Sequence, residues 1–174
     1  GLPARAALSV SSDERGDVWI GTLGGGIGRW RRGRLRPLAL PSRTWRGLVF
    51  ALAPDRSGRL WMSAEREDLF IFDGQRIRAG PAFVHGIKSI LVDRHDRVWM
   101  GRKDGLSVWD GKELKTFGPS EGLEPADVRA LAEDGSGAIW IGTGRGDVYR
   151  HRDGRLESLQ ARAATRGAAV WALG

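Results

Sequence analysis

Four tryptophans in register constrain this chain more than any other feature. The segments SVSSDERGDVWIGT (9–22), ALAPDRSGRLWMSA (51–64), SILVDRHDRVWMGR (89–102) and ALAEDGSGAIWIGT (130–143) align on Trp19, Trp61, Trp99 and Trp140, which lie 42, 38 and 41 residues apart. Six positions before each stands an aspartate: Asp13, Asp55, Asp93 and Asp134. Three positions before each stands Gly16, Gly58, Asp96 or Gly137. Fixed landmarks at a period of about forty residues mark a repeat architecture, in which each copy is one supersecondary unit.

The second half of each copy recurs more loosely. Trp30, Phe72, Trp109 and His151 follow the tryptophan, then a turn ending in glycine, RRG (31–33), DG (73–74), DG (110–111) or RDG (152–154), and then a polar, alternating tail. Each copy therefore reads as four short strands. Asp-x-x-Gly forms the first turn, where an aspartate accepts backbone N–H bonds and glycine takes positive φ. A hairpin leads into the fourth strand. The Ala-rich stretches ADVRALAED and ARAATRGAAV have helical propensity, but their register with LVFALAPD and GIKSILVD overrides it. Four antiparallel strands per copy predict an all-β fold, a β-propeller with blades at about 4–40, 45–80, 84–118 and 124–160. AVWALG (169–174) repeats an opening strand, so 168–174 is expected to begin a fifth blade, with more blades beyond residue 174.

The pattern V-x-A-L-x-x-D-x-x-G-x-[IV]-W-[IM]-G-T, best seen in GLEPADVRALAEDGSGAIWIGT (122–143), together with GLP at 1–3, resembles the two-component regulator propeller repeat along the whole chain. Copy two departs with Ser63 and Ala64, copy three with Asp96 and Arg102. The resemblance implies a non-enzymatic sensor module of a bacterial signalling protein, part of a ring of about seven blades in the periplasm or otherwise outside the cytoplasm. By the same resemblance its partners are a small-molecule or oligosaccharide ligand, the remaining blades and signalling domains of the parent chain, a histidine kinase among them, and a second copy in a homodimer.

Charge adds less than it promises. Lys plus Arg number 28 against 21 acids, a net charge of +7, which raises nucleic acid as a partner. Yet only four of the basic residues are Lys and there is no Asn, as a GC-rich coding sequence would produce, and RWRRGRLR (29–36) is the one dense cluster. Scattered charge is a weak footprint, so nucleic acid is not expected. No uncharged apolar run reaches 18 residues, so no span and no membrane contact by this segment are expected. Absent cysteine excludes disulfides and thiolate chemistry.

Alternate turns of an up-and-down blade fall at opposite ends. The Asp-x-x-Gly and DG turns are uniform, whereas the loops TLGGG (22–26), AERED (64–68), RKD (102–104) and TGRGD (143–147) and the inter-blade connections vary. Binding residues concentrate on varied loops of a repeated scaffold. Arg66, Arg102, Lys103 and Arg145, with Trp45, Arg46 and His85 from the connections, are therefore the candidate ligand-binding residues, suited to an anionic solute through forked hydrogen bonds and stacking. The bland reading of the same residues is a solvated loop face in an Arg-rich chain.

The repeated tryptophans read as packing between sheets rather than as a sugar platform. The four aspartates read as turn caps rather than as a metal ring, because they stand one per blade. GTLGGGIG (21–28) joins two strands and opens no helix, which argues against phosphate binding. No cofactor or metal is implied. His85, His95 and His151 occupy unlike places and share no ligand spacing, and no nucleophile motif is present. The alternatives to a sensor are a protein–protein interaction platform and a propeller lyase or hydrolase whose site draws on several blades.

Overall fold

The computed structural model describes residues 6–24, 26–38, 48–64, 68–80 and 84–159. Among these residues, sixteen strands form four antiparallel sheets, each in simple up-and-down order. The first blade comprises β1 (Ala7–Ser12), β2 (Val18–Thr22), β3 (Ile27–Arg31) and β4 (Arg34–Pro37). The second comprises β5 (Val49–Pro54), β6 (Leu60–Ala64), β7 (Asp68–Phe72) and β8 (Ile77–Ala79). The third comprises β9 (Ile87–Val92), β10 (Val98–Arg102), β11 (Gly105–Trp109) and β12 (Leu114–Phe117). The fourth comprises β13 (Val128–Glu133), β14 (Ile139–Thr143), β15 (Val148–Arg152) and β16 (Arg155–Leu159). This is the propeller-blade architecture that the repeat predicts. The expected opening strand at 168–174 lies outside the described residues. Two compact units divide the chain, Gly1–Ile90 and Leu91–Gly174.

Each repeat landmark has a physical cause. In the second blade, Asp55 Oδ1 accepts the backbone N–H of Arg59 at 2.9 Å while Oδ2 accepts the indole N–H of Trp61 at 2.9 Å. Asp13, Asp93 and Asp134 take the indoles of Trp19, Trp99 and Trp140 in the same way, at 3.3, 2.8 and 2.7 Å. One carboxylate thus closes the turn and anchors the next strand, which explains why aspartate and tryptophan keep a six-residue separation. The turn also needs a left-handed residue: Gly16, Gly58 and Gly137 have φ of 77°, 85° and 86°, and Asp96 holds the same position at 58°. Aspartate tolerates that conformation better than most side chains, so the third copy survives without glycine.

Trp19 and Trp99 pack toward the neighbouring blade. Trp19 meets Phe72 edge-on, with ring centroids 6.4 Å apart, in a core with Ile27, Val49, Leu60 and Met62. Trp99 packs on Phe117 and His151 with centroids 5.9 and 4.9 Å away, beside Leu106, Leu123 and Ile139. The glycine after the tryptophan permits this approach. A Cβ on Gly21 would lie 2.8 Å from Val49 Cγ1 and 3.0 Å from the Val49 carbonyl. The second copy replaces this glycine with Ser63, whose hydroxyl donates to the Ile87 carbonyl at 2.8 Å.

His151 stands in the register position of Phe72, each opposite the residue that precedes the tryptophan. Burial holds its pKa below the ordinary 6.5, and Arg97 and Lys115 lower it further. The unfolded chain therefore takes up the proton first, so this part of the stability is full above pH 6.5 and is lost as pH falls through the folded value. His151→Phe, which restores the repeat's aromatic, is expected to remove the decline in melting temperature between pH 8 and pH 5. An unchanged decline in the variant would assign it to other groups.

Candidate functional site

The loops that follow the tryptophan strands carry acids that offset their cations. In the third blade, Arg102 leaves β10 with its side chain 19% exposed and turns back on its own loop. Its guanidinium donates to Asp104 at 2.6 Å and to the Ser107 hydroxyl at 3.1 Å, and Ser107 in turn meets Thr116 at 3.2 Å. Lys103 is exposed at the same turn. In the fourth blade, the fully buried Thr143 organises the loop, its hydroxyl accepting the backbone N–H of Arg145 at 3.3 Å and of Asp147 at 3.0 Å. That geometry leaves Arg145 exposed at the tip. On the connection that follows the second blade, His85 Nδ1 lies 2.5 Å from Oδ1 of Asp68 in β7, and the imidazole is two-thirds exposed. Arg66, Trp45 and Arg46 lie outside the described residues.

One member of this end has no precedent in the loop pattern. The ladder of β13 and β14 shifts register between Val128 and Ala130, leaving Arg129 on a bulge. A bulge re-aims its side chain, and Arg129 pairs with Asp127 at 2.7 Å close to the backbone of Gly144. The same shift recurs between Ala7 and Ser9 and between Val49 and Ala51. Alternation in the sequence cannot show a bulge, so Arg129 reads there as an ordinary strand residue. Its signal is the neighbouring Asp127, two positions away on the connection.

The fourth blade ends in a charged and hydrogen-bonding surface made of Asp127, Arg129, Arg145 and Asp147, with the Tyr149 phenol beneath it. Burial raises the pKa of Tyr149 and Asp147 raises it further, so the phenol stays protonated and can donate a hydrogen bond. The arrangement suits a polar ligand that carries both donors and acceptors, because each Arg shares its loop with a carboxylate.

The family profile described as "Two component regulator propeller" matches residues 122–145, which run from the connection through β14 to this loop. Residues 122–145 are thus similar to a two-component regulator propeller repeat. No curated protein sequence matches the chain. Among solved structures, the extracellular domain of a putative one component system from B. thetaiotaomicron superposes with a TM-score of 0.76 at 16% identity, over 95% of this chain and 23% of that one. That of a putative hybrid two component system from B. thetaiotaomicron gives 0.68 at 17% identity, over 98% and 31%. A catalytically inactive virginiamycin B lyase from Staphylococcus aureus gives 0.71 at 18% identity, over 97% and 60%. The chain therefore spans less than two thirds of each of these proteins. At such identities the likeness is one of fold, which these extracellular domains share with a lyase.

Proposed function

We propose that these blades form a ligand-sensing module outside the cytoplasm, within a bacterial signalling protein, and that a small polar or glycan-derived ligand binds at the loop end of the third and fourth blades. The observation that carries this reading is the regulator repeat at 122–145, whose loop presents Arg145 above a rigid, buried threonine. Ligand binding would favour one packing of the blades over another and pass the signal on as a population shift. The module works within a larger ring. Val10 is 64% exposed, whereas Leu52, its register equivalent in the second blade, is 6% exposed, and Trp30 stands exposed where Phe72 is buried. A further blade against this face would bury both Val10 and Trp30.

The test is a calorimetric screen of neutral and uronate oligosaccharides, repeated with Lys103→Ala and Arg145→Ala. Each variant is expected to weaken binding by about tenfold, the loss of one charge-assisted hydrogen bond, with an unchanged melting temperature. Unchanged affinity together with a drop of many degrees would make both residues structural. A lyase or hydrolase is the second reading, and the His85–Asp68 pair favours it, since a carboxylate on one imidazole nitrogen orients the other as a base. Turnover lost in His85→Ala, with ligand affinity retained, separates the two.

A further inference from the structure

The cluster RWRRGRLR, dense already in the sequence, becomes an ordered array in the first blade. The ladder of β3 and β4 sets Arg29 opposite Arg36 and Arg31 opposite Arg34, so four guanidinium groups share one side of a two-stranded ribbon. Like charges directly opposite one another destabilise a sheet. Asp17, itself buried, pairs with Arg29 and with Arg31, the latter at 3.4 Å. Among the described residues, Arg34 and Arg36 make no ion pair. Arg32 adds a fifth positive charge at the turn, at φ 49°, where the fourth blade has Asp153 at φ 50°. Aspartate is the easier residue in that conformation, so the turn holds an arginine against its local preference.

The fourth blade shows what satisfies an arginine in this register. Arg150 occupies the place of Arg29, and the residue opposite it is Glu157, 2.8 Å away. A carboxylate on the adjacent strand is thus the partner this geometry accepts. Among the described residues of the first blade no carboxylate stands beside Arg34 or Arg36, and a place for one exists: β4 is the last strand of its sheet, exposed and, among the described residues, without a neighbour on its outer edge. We infer that β4 is a docking edge for an extended acidic peptide of a partner protein, which adds a strand and sets carboxylates at alternate positions beside Arg34 and Arg36. Main-chain hydrogen bonds supply affinity in this mode and alternate side chains supply specificity. A second copy of β4 would bring arginine against arginine, so the edge rejects self-association.

The test titrates the full chain with a labelled, blocked peptide of alternating glutamate and valine, alongside an alternating lysine–valine peptide, oligoglutamate, and phosphatidylcholine–phosphatidylglycerol vesicles. The glutamate–valine peptide is expected to bind and to slow amide exchange in β4. Arg34→Glu/Arg36→Glu should weaken it by about tenfold or more, two exposed ion pairs being replaced by repulsion. This variant should fold at least as well as the wild type, because Arg36→Glu sets a carboxylate opposite Arg29 as Glu157 is set opposite Arg150. The charge-matched control Arg76→Glu/Arg78→Glu on the second blade should stay within about twofold. Equal binding of oligoglutamate or vesicles without protection of β4, or an equal loss in the control, overturns the inference in favour of general polyanion attraction.

Discussion

Asp93→Ala is expected to destabilise the second unit by about 3–5 kcal/mol, the cost of orphaning several buried donors at once. The Asp93 side chain is fully buried, and its Oδ1 accepts the backbone N–H of His95 at 2.9 Å and of Arg97 at 3.0 Å. Its Oδ2 accepts the Trp99 indole at 2.8 Å and the Arg97 guanidinium at 2.6 Å. Alanine removes all four acceptor contacts. Arg97 is partly exposed and turns to water, but the indole N–H cannot, since Trp99 is 1% exposed. Asp93→Asn should cost nearly as much despite its identical shape, because one side of the group becomes an NH₂ facing a donor. Urea unfolding of the three proteins measures this, and an Asn variant of wild-type stability would show that the carboxylate's second oxygen is dispensable.

The same carboxylates set the acid limit of the fold. Burial pushes Asp55 and Asp93 upward, yet hydrogen bonds outweigh it: Ser57, Trp61 and Arg59 at Asp55, and Trp99 and Arg97 at Asp93, leave both below the ordinary 3.8. The Trp140 indole and Ser136 hold Asp134 well below that value too. Stability linked to these groups is present above pH 3.8 and is lost as pH falls through their folded values. By this sign, Asp93→Asn flattens the acid limb and leaves the neutral region parallel to the wild type.

The repeat made the blades legible because local chemistry and global packing agree at its landmarks. Asp-x-x-Gly encodes a turn on its own, and the strand after it has one buried side, so the alternation survives in the sequence. What the sequence left as two separate readings, a capped turn and a packed tryptophan, is one interaction through the two oxygens of each aspartate. Spacing shows that two residues keep company, and it does not show that their polar atoms meet. The loop end was less legible for a related reason. Arg102 and Arg129 each find a carboxylate within their own blade, at Asp104 and Asp127, and His85 on the connection finds one on the second blade, at Asp68. Net charge counts the cations, whereas geometry decides how much of each remains available to a ligand. A bulge displaced Arg129 from its expected alternation, and register turned the dense run of arginines into facing pairs. Both effects live on the pairing between strands, which a linear reading does not contain.

Trp99→Ala is expected to cost about 3–5 kcal/mol, the range for truncating a large aromatic in a packed core. Trp99 fills the space between the third and fourth blades against Phe117 and His151, so truncation opens a cavity that rigid strands on both sides cannot close. Trp99→Phe separates the two roles of the side chain: it keeps most of the ring and deletes the N–H, leaving Asp93 Oδ2 with Arg97 alone, at a cost of about 1–2 kcal/mol. If the indole–carboxylate bond is the link that couples turn to core, Asp93→Ala and Trp99→Phe must be less than additive, with a coupling of about 1 kcal/mol or more in a double-mutant cycle. Strict additivity would mean that the aspartate stabilises only its turn and the tryptophan only its interface. Trp140→Ala supplies the internal contrast, because Trp140 keeps the bond to Asp134 while remaining half-buried. Its loss should therefore be smaller than that of Trp99, and the difference measures what full burial adds to an anchor that every repeat already builds for itself.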